Sequence, residues 1–263
     1  MMAARVLGIG VLGPGLPDWD QARPRLAGDT AWQHEPVGRV VAPGLPRTEA
    51  RRATLGTHLA LTVAGQAFAG QAPPDADLPS VWAAADSDLQ GLERNCRSLT
   101  EASPWISPHR FQNSVHNTPS GYWSITTGCH GPATSVCAGD VSFAAGLGEA
   151  LTTLAADHDR CLLVVHDEIS PSTLEVSRRV PFSFAAAFLL GRDTPAGGMR
   201  LSAEAVADVA ETPCADPALE AVRTANPAAR TLPLLCALAA QRAATIDLPW
   251  TGRGLRLNLE PGA

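Results

Sequence analysis

The residues best suited to chemistry lie where a short strand is predicted to turn sharply into a helix. Residues 131–140, GPATSVCAGD, predict a buried strand and a tight turn, and a helix continues over residues 141–151. A helix N-terminus stabilises a thiolate and donates amide N–H groups to an oxyanion, so such a turn suits a Cys or Ser nucleophile in acyl transfer. Here Asp140 stands at the head of the helix, and the nearest thiol, Cys137, lies back in the strand. The pattern indicates a nucleophile site whose nucleophile is missing.

Alternating strands and helices must position this turn. The predicted elements are a strand at 5–12, a Pro-, Gly- and Asp-rich loop after it, helices at 47–69 and 87–100, strands at 79–85, 160–165 and 182–190, a loop at 103–120 and a helical segment at 122–127. Residues 199–260 predict a further strand, one or two helices and a last strand at 255–259. This alternation favours an α/β layered fold, and no linker or repeat divides the chain. We therefore predict a single domain over residues 1–263.

The composition excludes several classes of function. Hydrophobic residues make up 45% of the 263 positions and charged residues 17%, which favours an extensively buried or oligomeric globule. A net charge of −6 argues against nucleic acid and acidic membranes as partners. All 20 basic residues are Arg, so no Lys can take part in catalysis. The first residues lack the features of a signal peptide and no apolar run reaches the ~18 residues that span a bilayer, so we predict a cytoplasmic protein.

Metal and cofactor motifs are weak. The six cysteines show neither a CxxC pair nor zinc-type spacing, and we interpret them as reduced core thiols. Residues 8–13 match GxGxxG, but Pro14 interrupts the helix that a dinucleotide site requires. The run 166–168, His-Asp-Glu, follows a predicted buried strand and could face a pocket, although a satisfied loop cluster is the favoured interpretation. We expect no cofactor and no metal.

A loop rich in His, Asn and aromatic residues, 107–125, leads directly into the turn. Together with Gly131-Pro132, residues 161–168 and the basic stretch 45–52, it resembles the N-terminal half of β-ketoacyl synthases over roughly residues 4–192. The likeness is greatest to the stand-alone half ketosynthases found beside type II fatty-acid-like and aryl polyene synthases. The resemblance implies half of a thiolase-like layered α/β/α fold with a mixed central sheet. Residues 193–263 would complete the core or form an interface.

The resemblance also implies that the catalytic machinery is incomplete. In condensing enzymes of this kind the acyl-accepting Cys falls eight residues after the Pro of the Gly-Pro pair, and that position here is Asp140. The two family histidines that activate malonyl decarboxylation come from the C-terminal half, and no His follows His166. We expect Asp140 to act as a helix N-cap, which would contribute roughly 0.5–2 kcal/mol, with a polar role at the end of an acyl tunnel as the alternative. Cys137 is expected to be held inside the sheet.

The resemblance implies dimerisation through the strand that precedes the turn, formed by Thr134, Ser135, Val136, Cys137 and Ala138. We therefore interpret the chain as a non-catalytic subunit resembling a chain length factor. It would form a heterodimer with a catalytic ketosynthase and meet an acyl carrier protein transiently, in polyketide, aryl polyene or fatty-acid-type biosynthesis. Phe111, His116 and Trp123 are predicted near the tunnel or the interface, with ordinary loop packing as the alternative.

Two other hypotheses remain open at this stage. The chain could be an acyltransferase or thioesterase that uses Cys137 as nucleophile, with His116 or His130 as its base. Alternatively, it could be a homodimeric scaffold that binds an acyl carrier protein without shaping any product.

Overall fold

A mixed sheet of eight strands forms the centre of the molecule, as seen in a computed structural model that describes residues 2–86, 88–156, 158–194, 198–207 and 209–262. The strands are β1 (Met2–Leu12), β2 (Ser80–Ala83), β3 (Ala133–Val136), β4 (Arg160–Asp167), β5 (Phe184–Arg192), β6 (Met199–Val206), β7 (Ala244–Trp250) and β8 (Arg253–Glu260). Their order across the sheet is β3-β2-β4-β5-β1-β6-β8-β7. Strand β2 pairs in parallel with β3 and β4, and all the other pairs are antiparallel.

Helices connect the strands and cover the sheet. They are α1 (Trp19–Ala27), α2 (Arg47–Ala50), α3 (Leu55–Ala67), α4 (Leu89–Leu99), α5 (Pro108–Gln112), α6 (Thr118–Thr127), α7 (Ser142–Ala155), α8 (Pro217–Ala225) and α9 (Leu232–Ala239). Short 3-10 turns lie at Gly139–Val141, Ser172–Leu174 and Ala228–Thr231. Within the ranges described above, no helix combines the length and the apolar character needed to cross a membrane.

Two apolar cores lie on opposite faces of the sheet. One packs beneath α1, α7, α8 and α9, and the other beneath α3 and α6. Because successive side chains of a strand point to opposite faces, β4 supplies both cores: Leu163 and Val165 enter the first, and Leu162 and Val164 enter the second. The predicted α/β/α layering around a mixed sheet is therefore confirmed.

Helix α3 approaches β1 closely because two glycines of β1 carry no side chain. A Cβ at Gly8 would lie 1.9 Å from the carbonyl oxygen of Ala67, and one at Gly10 would lie 2.0 Å from that of Val63. The glycines of the GxGxxG-like stretch thus permit close packing between helix and strand. Strand β1 continues through Leu12, and the next helix is α1.

The structure corrects several predicted elements. Helix α1 lies in the stretch predicted as a loop, where Asp18 caps it by accepting a hydrogen bond from the Gln21 amide at 2.8 Å, while an internal Pro24 obscured the pattern. The predicted helix at 47–69 is two helices, since α2 ends at Ala50 and Thr54 caps α3. The predicted loop at 103–120 contains the short helix α5 and the first residues of α6.

The C-terminal segment differs from its prediction in one strand. Strand β7 was missed, and β6, β8 and β7 together complete one side of the sheet. Residues 199–260 therefore belong to the core of the fold. Ser87, the predicted start of the helix at 87–100, lies outside the described residues, and α4 begins at Leu89.

Candidate functional site

The predicted strand–turn–helix is present, and one buried hydroxyl group fixes its turn. After β3 ends, a 3-10 turn follows at Gly139–Val141 and α7 begins at Ser142. The Ser142 Oγ accepts a hydrogen bond from the Ala138 amide at 2.9 Å and lies 2.7 Å from the Gly139 carbonyl oxygen. Gly139 has a φ of +57°, which glycine adopts without strain. We call residues 136–142 the elbow.

Asp140 is not the helix cap that the sequence predicted. No side-chain hydrogen bond caps α7, because the 3-10 turn places Asp140 ahead of the first turn of that helix. Its carboxylate instead faces two guanidinium groups. The Asp140 Oδ1 lies 2.8 Å from the Arg178 Nη1, and its Oδ2 lies 3.6 Å from the Arg230 Nη2. The N-cap prediction is therefore wrong, and the residue at the nucleophile-equivalent position is one member of an ion-pair network.

Arg178 connects the elbow to the loop that follows β2. Its Nε donates to the Asp86 Oδ2 at 2.7 Å, while its Nη1 donates to Asp140. Burial disfavours the charged form of Arg178, but the hydrogen bonds to Asp86 and Asp140 outweigh that effect and raise its pKa. Arg230 forms a second ion pair, with Glu211. The Asp140 carboxylate is thus engaged as a charge partner and holds two separate loops against the elbow.

A buried carboxyl group at the end of β4 supports the loop beneath the elbow. The Asp167 Oδ1 accepts hydrogen bonds from the amides of Ala85 at 2.9 Å and Asp86 at 3.3 Å. Burial raises the pKa of Asp167 to about 8, because removing a carboxylate from water disfavours its charged form. The loop that carries Asp86, and through it Arg178, is therefore anchored on a carboxyl group that is largely protonated at neutral pH.

His166 and Glu168, which flank Asp167, border a small cavity. Glu168 accepts hydrogen bonds from the amides of Gly56 and Gln90, each at 3.1 Å, and so ties α3 to α4. Burial and, after it, the charge of the nearby His116 lower the pKa of His166 to about 4, so its ring is neutral. The cavity they share measures about 20 Å³, which is the size of one water molecule. Among the described residues, no three His, Cys, Asp or Glu side chains are placed to hold a metal ion.

Cys137 lies outside the sheet, contrary to the prediction. Strand β3 ends at Val136, and Cys137 is exposed at the start of the turn. Its thiol donates to the Ala85 carbonyl oxygen at 3.1 Å. His130, one of the two predicted bases, has its Nδ1 3.0 Å from the Ser124 Oγ. Each of these groups is engaged with another partner, so their hydrogen bonds do not assemble a Cys–His pair.

The three residues predicted near a tunnel or interface lie in three different environments. Phe111 on α5 is 63% exposed. His116 is exposed and borders the small cavity. Trp123 is buried on α6, with its ring 5.9 Å from that of Phe68 and 6.1 Å from that of Trp82. Trp123 therefore belongs to the core of the second apolar face, and the placement of the three residues near a tunnel or interface stays a prediction.

Strand β3 forms one edge of the sheet, as the predicted dimer strand must. Within the described chain it pairs with β2 alone. The amides of Ser80 and Ala84 donate to the carbonyl oxygens of Pro132 and Val136, so the even-numbered positions bond inward. Because backbone groups alternate sides along a strand, the N–H and C=O of Ser135 face the open edge. Of the predicted positions 134–138, the last two belong to the turn and not to the strand.

The residues that hold the elbow were not predicted from the sequence. Ser142 carried a weak signal, since a Ser at a helix start commonly bonds to the adjacent backbone. Arg178 and Arg230 carried none, because they come from loops that follow β4 and α8 and approach Asp140 only in the folded chain.

Comparisons with known proteins agree with this geometry. The solved structures that resemble the chain include the complex of the ketosynthase ApeO with its chain length factor ApeC from Xenorhabdus doucetiae, at 20% identity and a TM-score of 0.74, covering 98% of this chain and 100% of that one. The ishigamide ketosynthase/chain length factor resembles it at 16% identity and a TM-score of 0.72, over 98% of this chain and 99% of the other.

A third solved structure, AntDE:AntF, in which a type II polyketide synthase acyl carrier protein is bound to its ketosynthase, is 11% identical with a TM-score of 0.75 over 99% of both chains. No curated protein matches the sequence. These likenesses confirm the thiolase-like ketosynthase fold. The family model for the β-ketoacyl synthase N-terminal domain matches residues 19–249, which reaches further toward the C-terminus than the resemblance seen in the sequence. The chain therefore belongs to the β-ketoacyl synthase N-terminal domain family.

Proposed function

We propose that this protein is a non-catalytic ketosynthase-like subunit that pairs with a catalytic β-ketoacyl synthase and acts as its chain length factor. The pathway would be of the polyketide, aryl polyene or fatty-acid type, with an acyl carrier protein as a transient partner. The observation that carries the proposal is the state of the elbow. Its turn is kept, but the nucleophile-equivalent residue is Asp140, whose carboxylate is ion-paired with Arg178 at 2.8 Å.

The ion pairs of Asp140 argue against acyl transfer at this elbow. A carboxylate held in ion pairs with Arg178 and Arg230 is a weak nucleophile. The exposed Cys137 is not positioned by the elbow in its place, because its thiol donates to the Ala85 carbonyl. The elbow therefore supports a structural role for the turn.

The open edge of β3 is a surface to which a partner subunit could bind. The outward N–H and C=O of Ser135 are free to continue the sheet into a second chain, as an added strand does in β-augmentation. Ketosynthase–chain length factor complexes are among the solved structures that share this fold, which favours a ketosynthase as that second chain.

Exposed apolar side chains in one segment of the chain also favour a partner. Six of the large hydrophobic residues that are exposed in the described chain come from residues 92–125, and they are Leu92, Leu99, Trp105, Phe111, Val115 and Ile125. Exposed apolar residues that come from one segment are typical of a surface covered by a partner or a ligand. Phe111, at 63% exposed, is the residue of our predicted set that belongs to this segment.

Co-expression with a catalytic β-ketoacyl synthase from the same genome tests the pairing. We expect a complex of one copy of each chain by size-exclusion chromatography, with condensing activity that requires the active-site Cys of the partner. A stable homodimer that ignores the ketosynthase would instead favour the scaffold hypothesis. Activity that disappears in Cys137→Ala, with the partner intact, would establish an enzyme and overturn the proposal.

The chain-length role has a separate test. In the assembled complex, Phe111→Ala should shift the product distribution or weaken the complex, because it removes bulk from the exposed apolar segment. The matched control is Val41→Ala, which also truncates an exposed apolar residue (53%) but lies outside residues 92–125. Unchanged products and unchanged affinity in Phe111→Ala would remove Phe111 from the proposed site.

A further inference from the structure

A second site lies on the side of the molecule formed by α1, α9 and β7. There the protein encloses a cavity of about 350 Å³. Two of its lining residues are Cys214, in the loop before α8, and Cys236, on α9. Cys214 is buried, and Cys236 is half-buried. The cavity therefore brings two free thiols together from separate parts of the chain and gives a small solute a route to them.

The two thiols lie close enough to affect each other's ionisation. Their interaction lowers the pKa of Cys236 and raises that of Cys214, and the positive charge of Arg242 also favours the Cys236 thiolate. Cys236 is also the more accessible of the two, so it is assigned as the attacking thiol and Cys214 as its resolving partner.

Three other cysteines donate hydrogen bonds to backbone carbonyl groups and not to a second thiol. Cys129 and Cys161 are buried and donate to the carbonyl oxygens of Leu78 and Leu162, and Cys137 donates to that of Ala85. A thiol that faces a carbonyl oxygen has no second sulfur with which to resolve an oxidised state. The pairing of two thiols beside a cavity distinguishes Cys214 and Cys236.

We propose that Cys214 and Cys236 form a peroxide-reactive dithiol that closes reversibly to a disulfide. The Cys236 thiolate attacks one oxygen of hydrogen peroxide, the O–O bond breaks, and the departing hydroxide takes up a proton to leave as water, which yields a sulfenic acid. The Cys214 sulfur then attacks the Cys236 sulfur, and the S–O bond breaks with release of a second water. Two thiols and one peroxide thus give one disulfide and two waters.

The local structure permits this closure. The two sulfur atoms must approach to about 2 Å of each other. Cys214 lies in an irregular segment whose backbone is held at Cys214 N by the Glu220 carboxylate, at 2.8 Å, whereas Cys236 is fixed within a helix. We expect the loop to supply the movement. The inference does not depend on the proposed function, since neither thiol belongs to the elbow or to β3.

Peptide mapping of the oxidised protein tests the proposal. The folded protein is treated with hydrogen peroxide, its remaining thiols are blocked under denaturing conditions, and it is digested with trypsin. Cleavage after Arg releases Cys214 in peptide 201–223 and Cys236 in peptide 231–242. We expect one linked peptide with a mass about 2 Da below the sum of the two, a fall from six free thiols to four, and full reversal by dithiothreitol.

Single variants identify the attacking sulfur. In Cys214→Ser the sulfenic acid on Cys236 cannot be resolved, and dimedone should label peptide 231–242; in Cys236→Ser, peptide 201–223 should stay unlabelled. Cys96→Ser is the matched control, because Cys96 is exposed and its loss should leave the linked peptide unchanged. The proposal is overturned if the two peptides of the wild-type protein remain separate at a peroxide concentration that already oxidises Cys96.

Discussion

The two edges of the sheet are protected to very different degrees. At the β7 edge, the Thr212 hydroxyl accepts from the Asp247 amide at 2.8 Å, and the Asp247 carbonyl oxygen accepts from the Thr212 amide at 2.9 Å. The same strand carries Pro249, which has no N–H to offer, and Asp247 forms an ion pair with Arg256. The β3 edge has none of these devices: its four residues are Ala, Thr, Ser and Val.

The β7 edge is therefore protected against pairing with another chain, and the β3 edge is not. Charges, prolines and covering segments are the means by which proteins keep sheet edges from pairing. Strand β7 is protected in three ways, whereas β3 carries none of the three. If the proposed heterodimer forms by sheet extension, the β3 edge is the one expected to pair with the partner.

Replacing Ser135 by Pro should have the largest effect. The N–H that Pro removes faces the open edge, so the β2–β3 ladder of the subunit stays intact while one hydrogen bond of the extended sheet is lost and the ring obstructs the partner strand. We expect loss of the co-purified complex with little change in the melting temperature of the free subunit.

Thr245→Pro is the matched control for that experiment. Like Asp247 and Pro249, Thr245 directs its N–H away from β8, but it lies at the protected edge. It should leave the complex intact. If Thr245→Pro disrupts the complex and Ser135→Pro does not, the two edges have been assigned the wrong way round.

Raising the pH should lower the free energy of unfolding, because it ionises the buried Asp167. The folded pKa of Asp167 is about 8, well above that of an unfolded Asp, so between about pH 6.5 and 8.5 the folded state loses a proton that the unfolded state has already lost. The free energy of unfolding should therefore fall by about 2 kcal/mol over this range. Glu168, with a pKa raised to about 7, acts in the same direction, whereas His166 titrates at lower pH.

Urea denaturation at the two pH values measures this effect. Asp167→Asn keeps an oxygen that can accept from the Ala85 and Asp86 amides but does not titrate, so its stability should depend less on pH. The Thr212 hydroxyl at the β7 edge is neutral throughout the range. An identical pH dependence in wild type and Asp167→Asn would show that Asp167 is not the titrating group.

Removing the guanidinium of Arg178 should loosen the elbow. Arg178→Met keeps the apolar stem but loses the ion pairs to Asp86 and Asp140, in which all three side chains are only partly exposed. We expect a loss of about 1–2 kcal/mol in unfolding free energy. The control, Arg97→Met, breaks an exposed helical pair with Glu93 and should cost at most about 0.5 kcal/mol. Equal losses in the two variants would contradict a special role for Arg178.

The smallest effect is expected at the protected edge. Thr212→Val removes the acceptor for the Asp247 amide while keeping the shape of the side chain. The loss should be about 1 kcal/mol in unfolding free energy, and the affinity for the ketosynthase should not change. A change in that affinity would mean that the β7 edge also contacts the partner.

The sequence predicted the elements whose signals are local. The apolar runs of β4 and β5 and the strand–turn–helix at the elbow were all found, because each depends on residues that are adjacent in the chain. Two of the elements that were not predicted, α1 and β7, contain a proline, a residue that normally interrupts helices and strands; the prolines are Pro24 and Pro249. Pro249 is tolerated because its missing N–H would face away from the ladder, whereas Pro24 interrupts the hydrogen bonds inside α1.

The roles of the elbow residues could not be predicted in the same way. Asp140 looked like a helix cap because it heads a helix, which is a local inference. Its actual partners, Arg178 and Arg230, are brought to it by loops from other parts of the fold. The burial of Trp123 was likewise not evident from the sequence, since it depends on contacts with Phe68 and Trp82.

The position of β1 has a consequence for how the chain folds. Ala4 lies opposite Arg192 on one side and Leu201 on the other, so β1 pairs on both sides with strands far along the chain. Contacts so distant in sequence slow folding, whereas β2, β3 and β4 are closer together along the chain. We therefore expect the pairing of β1 to form late in folding, several strands away from the β3 edge.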